Sequence, residues 1–199
     1  MITTFAFHET PPDGLSRHPR VRRVGGRGAV LTFPLARDDA ETFDRQGYGG
    51  SRYGAVVMET LREGVDPIAA PERAGASLTL DTACVMRVRG TGGGPATGVV
   101  LFTLCDLAET DAPAFLAQFT AASAFMARRP GFRSARLYRE RSSRARAAFV
   151  NVAAWTTVAA FVDAFSSDAF KRIIVGGFET RSRILVAPLP SAPVLEAAQ

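Results

Sequence analysis

The second half of the sequence predicts an α+β fold in the order βαββαβ, the ferredoxin-like split βαβ arrangement, on three observations. Two apolar stretches, Val99 to Leu107 and Ala147 to Trp155, are short and flanked by turn residues, as strands are. Between them, Phe115, Phe119, Ala122 and Met126 recur at three- and four-residue spacing, which gives one apolar helical face. Ser142-Ser143 then sits where Phe132 to Glu140 and Ala147 to Trp155 need a turn to form a hairpin.

The elements follow in order. Val99–Leu107 is a strand, and Thr110 or Asp111 caps a helix from about Ala112 to Arg129 that Pro130-Gly131 ends. After the hairpin, Thr156 or Thr157 caps a helix over Val158–Phe165. Ser166-Ser167-Asp168 breaks it and caps a continuation, Ala169–Val175, before Gly176-Gly177. A last strand covers about Thr180–Val186, stopped by Pro188 and Pro190.

The first half is less regular. Residues 1–28 read as an irregular lead-in, and residues 29–89 as an α+β unit. Within it, Ala29–Leu35 and Ser77–Val88 read as strands, Asp38-Asp39 as a cap, and Ala55–Glu63 as strand or helix. AVLTFPLARDDAETF from Ala29 and VVLFTLCDLAETDAPAF from Val99 share an apolar strand, an acidic cap and a helical phenylalanine, so a decayed second ferredoxin-like copy stands beside an unrelated extension. Gly- and Pro-rich residues 90–98 form a linker, 99–188 the second unit and 189–199 a tail.

Composition narrows the function classes. At 199 residues, 47% hydrophobic and 22% charged, the chain is neither disordered nor membrane-embedded in type. The longest charge-free run around the tryptophan, Ala147–Val162, is too short to span a bilayer, and MITTFAFHET is not a signal peptide, so a cytoplasmic protein is expected. The net charge of +5 comes almost wholly from arginine, Lys171 being the sole lysine. Eight arginines between Arg128 and Arg146 form a cluster with no nucleic-acid motif, and solvated strand edges explain it. Arg133 or Arg136 could instead face a cavity. Cys84 and Cys105 lie in apolar runs as free thiols; His8 and His18 are remote from both, and no metal site is read. The segment Gly47–Gly54, with two of the three tyrosines, is a loop or a lid over a ligand.

The stretch FMARRPGFRSARLYRE, the strand FVNVAAW and the segment SSDAFKRI together resemble the antibiotic biosynthesis monooxygenase family over about Val99 to Val186. That resemblance implies a dimeric α+β barrel, formed through the sheets of a homodimer, and its aromatic polyketide oxygenase branch implies a substrate cavity. Asn151 and Trp155, at even spacing on one strand face, correspond to an asparagine and a tryptophan that line it. Both are neutral donors suited to a phenolate or enolate oxygen. Thr103 stands where some members carry asparagine, and Phe161 where many carry tyrosine, which leaves Tyr138 or Arg136 to handle the proton or pair with the phenolate. Phe102, Phe119, Phe149, Phe161 and Phe165 are candidates for the apolar wall.

The activity so implied is oxidation of a polycyclic phenol, quinol or anthrone to a quinone, or oxidative C–C cleavage of its ring, in antibiotic biosynthesis. O2 is the co-substrate, the substrate supplies the electrons, and no metal or other cofactor is bound. Two alternatives remain open: a reduced-flavin-dependent ring-opening oxygenase (FMN or FAD) served by a separate flavin reductase, and a non-catalytic polyketide-binding module. The heme-degrading branch needs a helical histidine, which the second half lacks.

Overall fold

The structure, a computed structural model, describes residues 2–10, 19–24, 28–36, 43, 48, 52–61, 75–91, 98–141, 146–175 and 182–189. Its strands are β1 (Ile2–His8), β2 (Arg20–Val24), β3 (Gly28–Pro34), β4 (Ala55–Leu61), β5 (Leu78–Arg89), β6 (Val99–Ala108), β7 (Phe132–Glu140), β8 (Arg146–Trp155) and β9 (Ser182–Pro188). Its described helices are α1 (Ala112–Met126), α2 (Val158–Ser166) and α3 (Asp168–Ile173). No helix among the described residues is long and apolar enough to cross a membrane.

The nine described strands join one antiparallel sheet in the order β2-β3-β4-β1-β5-β7-β8-β6-β9. Its second half, β7-β8-β6-β9, is the split βαβ order expected from the sequence, with α1 and the α2–α3 pair as crossovers. The first half repeats that order. β1, β3, β4 and β5 occupy the positions of β6, β7, β8 and β9, and β2 is an added hairpin strand on β3.

The halves join where β5 pairs with β7. At the far side the chain just after β3 reaches β9, where the Ala36 amide donates to the Val186 carbonyl at 2.9 Å. The sheet therefore curls into a barrel. The sheet-to-sheet pairing that the resemblance places between two copies occurs here between the halves of one chain. Phe5, Leu31, Phe33, Met58, Phe102, Tyr138, Val150 and Leu185 fill the interior as one cluster from both halves. Phe102 lies edge-on to Phe5, with centroids 6.5 Å apart, and to Phe33 at 5.0 Å.

The lead-in departs from the sequence reading, because Ile2–His8 is not irregular but a central strand of the first half. Both of its faces are buried, so alternation of polar and apolar residues does not mark it. Its partners β4 and β5 lie more than forty residues away in sequence, so no local hairpin signal marks it either. The cap expected at Asp38-Asp39 and residues 92–97 of the linker lie outside the described residues.

Candidate active site

On the second half of the sheet, alternate side chains point either into the barrel or out toward the helices. Leu101, Thr103, Cys105 and Leu107 of β6, and Phe149, Asn151, Ala153 and Trp155 of β8, take the helix side. α1 lies over them with Phe115, Gln118, Phe119, Ala122, Ser123 and Met126, the three- and four-residue spacing visible in the sequence. Asp111 occupies the N-cap of α1 without a side-chain bond, whereas Thr157 Oγ1 and Ser167 Oγ accept from the Ala160 and Phe170 amides and cap α2 and α3. Gln118 Nε2 donates to the Ile173 and Val175 carbonyls at 3.2 and 3.0 Å, tying α1 to the end of α3.

These elements enclose a cavity of about 130 Å3. Its sheet wall holds Thr103, Cys105, Ala135, Asn151, Ala153, Trp155, Ser182 and Ile184, and its helical wall adds Phe161, Phe165, Phe170 and Ile174. Trp155, 1% exposed, lies edge-on to Phe132 at 5.2 Å and to Phe161 at 5.5 Å. Two glycines fit the backbone around it. A Cβ on Gly98 would stand 2.3 Å from the Trp155 carbonyl oxygen. Gly131 has φ +85°, and a Cβ there would lie 2.6 Å from Thr156 Oγ1.

The lining is apolar with a few neutral polar groups, and no side chain charged at neutral pH is among the described lining residues. Asn151 Oδ1 is buried and has no hydrogen-bond partner. The two ends of an amide exchange by rotation about its terminal bond, so the carboxamide brings an unspent polar group to an otherwise greasy cavity. Cys105 donates to or accepts from Ser182 Oγ at 3.3 Å. Burial pushes its thiol up to about 11, against the smaller opposing effect of that hydrogen bond, so it stays neutral at physiological pH.

Of the site residues expected from the sequence, Thr103, Phe119, Asn151, Trp155, Phe161 and Phe165 come together on this cavity. Phe149 does not reach it; its ring is buried against Phe115 at 4.7 Å. Tyr138 and Arg136 lie on the opposite face of the sheet, where Tyr138 packs in the barrel against Phe5 at 5.1 Å. Phe102 also points into the barrel. Cys84 and Cys105 are both free. The sequence did not single out Gln118, Ser123 or Ser182, although Ser123 stands four residues after Phe119 on the periodic face of α1. Tyr48 of the Gly/Tyr segment also lines the cavity, its ring edge-on to Phe165 at 5.2 Å, and its carbonyl accepts from the Ile184 amide.

Residues 99–175 match the family model described as antibiotic biosynthesis monooxygenase. Among solved structures, an anthrone oxidase-like protein is 11% identical with a TM-score of 0.56, covering 94% of this chain and 90% of its own. A candidate monooxygenase from Fusobacterium nucleatum is 9% identical with a TM-score of 0.55, covering 94% and 91%. A heme-degrading enzyme from Listeria monocytogenes is 18% identical with a TM-score of 0.47, covering 81% and 97%. No curated protein matches the chain.

Proposed function

We propose that the chain is an oxygenase that oxidises an electron-rich aromatic, a phenol or anthrone of the aromatic polyketide type, with O2, a reading supported by the match of residues 99–175 to the family model described as antibiotic biosynthesis monooxygenase and by the ferredoxin-like strand order. The observation that carries this reading is the buried Oδ1 of Asn151, an amide end without a hydrogen-bond partner on an apolar cavity beside Trp155. A buried polar atom without a partner costs about 1–3 kcal/mol, and a ligand hydroxyl that donates to Oδ1, or a ligand oxyanion that accepts from Nδ2 once the amide has turned, recovers that cost.

The cavity's roughly 130 Å3 is close to the ~150 Å3 that accepts one benzene ring in an engineered core. One ring of the substrate therefore enters against Asn151 and Trp155, and the rest of a polycycle passes the half-buried rim at Tyr48, Phe119 and Phe165.

The chemistry then needs little from the protein beyond orientation and a fixed dipole. An anthrone loses a proton to solvent, and the Asn151 amide N–H stabilises the resulting oxyanion. The anion passes one electron to O2, and the two radicals join as a peroxide at carbon. Protonation of the outer oxygen and loss of the remaining C–H proton break the O–O bond, leaving a carbonyl and one water. Anthrone and O2 thus become quinone and water with no external reductant. Phe161, Phe165 and Phe170 keep bulk water from the peroxide.

The test is oxygen uptake with an anthrone and 18O2, with no flavin added. One O2 consumed per quinone, with one labelled oxygen retained, and a fall of at least tenfold in Asn151→Ala plus Trp155→Phe support the proposal. Uptake equal to the protein-free rate overturns it.

A further inference from the structure

A second cavity, of about 420 Å3, opens at the end of the barrel on the opposite face of the sheet from the first. Among the described residues the two share only Ala135 in their walls, and along β8 the alternation separates them, Asn151, Ala153 and Trp155 lining one and Val152 and Ala154 the other. Among the described residues its lining carries four arginines, Arg87, Arg89, Arg133 and Arg136, and no acidic residue.

That charge is not scattered. Arg87 of β5 and Arg136 of β7 are direct partners across the seam between the halves. Like charges directly opposite one another in an antiparallel pair are unfavourable, so this seam carries a cost that an anion would turn into a gain. Arg136 also donates to the Tyr138 hydroxyl, which is buried within the barrel. The phenol oxygen accepts that bond and keeps its own proton to donate. Burial raises Tyr138 above its ordinary range, so the proton is present throughout the neutral range. Beside these groups, Phe33 and Met58 from the first half and Val100 and Val152 from the second give the cavity an apolar floor.

We infer that this barrel end binds an amphiphilic organic anion, its carboxylate or phosphate head held by Arg87, Arg136 and the Tyr138 hydroxyl and its apolar body lying on Phe33, Met58 and Val152. Guanidinium groups match both oxyanions with paired N–H donors, and the volume lies within the range of small-molecule sites, roughly 300–1,000 Å3. The site requires both halves of the chain, because the arginines come from β5 and β7 and the floor from β3, β4, β6 and β8.

Titration calorimetry of the full chain with 1-naphthoate, 1-naphthyl phosphate and the neutral 1-naphthylmethanol tests this. At least one anion is expected to bind with one-to-one stoichiometry, tenfold or more tighter than the alcohol and more weakly as salt rises. The tighter of the two identifies the head group. The double variant Arg87→Gln plus Arg136→Gln is expected to lose at least tenfold in affinity for the anion and to keep its affinity for the alcohol. Asn151→Ala, altered in the other cavity, leaves the anion's affinity unchanged, so this result stands apart from the oxygenase test. Should circular dichroism show the double variant unfolded, Arg89→Gln, exposed on the same rim, replaces it with a two- to fivefold loss. Anions that bind no tighter than the alcohol, or equally well to the arginine variant that folds, overturn the inference.

Discussion

Thr103 and Asn151 are direct partners across β6 and β8, and both side chains leave the sheet on the face that α1 covers. The register fixes this pair: a slip of one residue would turn the amide into the barrel and bring Val150 or Val152 to the cavity. Asn151 is therefore held in place by backbone pairing on both sides, to Thr103 on β6 and Leu137 on β7, while its own Oδ1 lacks a partner.

A residue placed for function at a cost to the fold should show opposite effects on the two. Asn151→Leu removes a buried polar atom whose burial costs about 1–3 kcal/mol, so the variant is expected to melt at the same temperature as the parent or higher. Binding or oxidation of a phenolic ligand is expected to fall tenfold or more. Differential scanning fluorimetry and oxygen uptake on the same preparations measure both. A lower melting temperature with undiminished turnover would mark Asn151 as a structural residue.

The cavity's composition also sets a pH dependence. The described lining holds no Asp, Glu, His, Lys or Arg, and burial pushes the Cys105 thiol up to about 11. The rate of oxidation should therefore rise with pH along the ionisation of the substrate, not of the protein. Across a series of phenols or anthrones of different acidity, the midpoint of the kcat/KM profile should move with the acidity of each compound. A midpoint that stays fixed across the series would reveal a titrating protein group and contradict this account.

Cys105 itself links pH to stability. Its folded value of about 11 stands above the 9.0 of an unburied thiol. The stability it contributes is fully present below the unfolded value and is lost as pH rises toward 11. Tyr138, raised by burial and only partly relieved by Arg136, adds a second loss above its ordinary range. Urea unfolding is expected to give constant stability from pH 7 to 8 and a decline from 9 to 11. In Cys105→Ala the first part of that decline should flatten by roughly 1 kcal/mol per pH unit. Parallel curves for parent and variant would remove Cys105 as the cause.

The helix and strand that line the cavity were readable because their periods are local. Phe115, Phe119, Ala122 and Met126 repeat at helical spacing, and Asn151 and Trp155 share a face because four is an even number of strand residues. Tyr138 and Arg136 could not be assigned this way. Counting along β7 from Phe132, which faces the helices, regular alternation would send Ser134, Arg136 and Tyr138 to the same side. The register shift between Phe132 and Ser134 reverses the parity, so that Ala135 and Leu137 face the helices instead. A bulge leaves no mark in residue spacing. The first half was obscure for a related reason: β1 pairs only with distant strands, and the shared interior follows from closure of the whole sheet, not from any one segment.

That shared interior makes the halves interdependent. Phe102, from β6 and fully buried, meets Phe5 of β1 and Phe33 of β3, so its ring spans the two topological repeats. If each repeat kept a core of its own, truncating this ring would lower one of two melting transitions and leave the other in place. With a common core, both repeats lose the same contacts at once. Phe102→Ala is expected to cost about 3–5 kcal/mol while unfolding remains a single transition, followed alike by far-ultraviolet circular dichroism and by fluorescence of Trp155, the sole tryptophan, in the second half. Fluorescence reports the second repeat alone and dichroism reports both. A variant whose fluorescence midpoint shifts while part of the dichroism signal melts where the parent does would show that the repeats fold independently, and that the barrel interior is an interface between them and not a core.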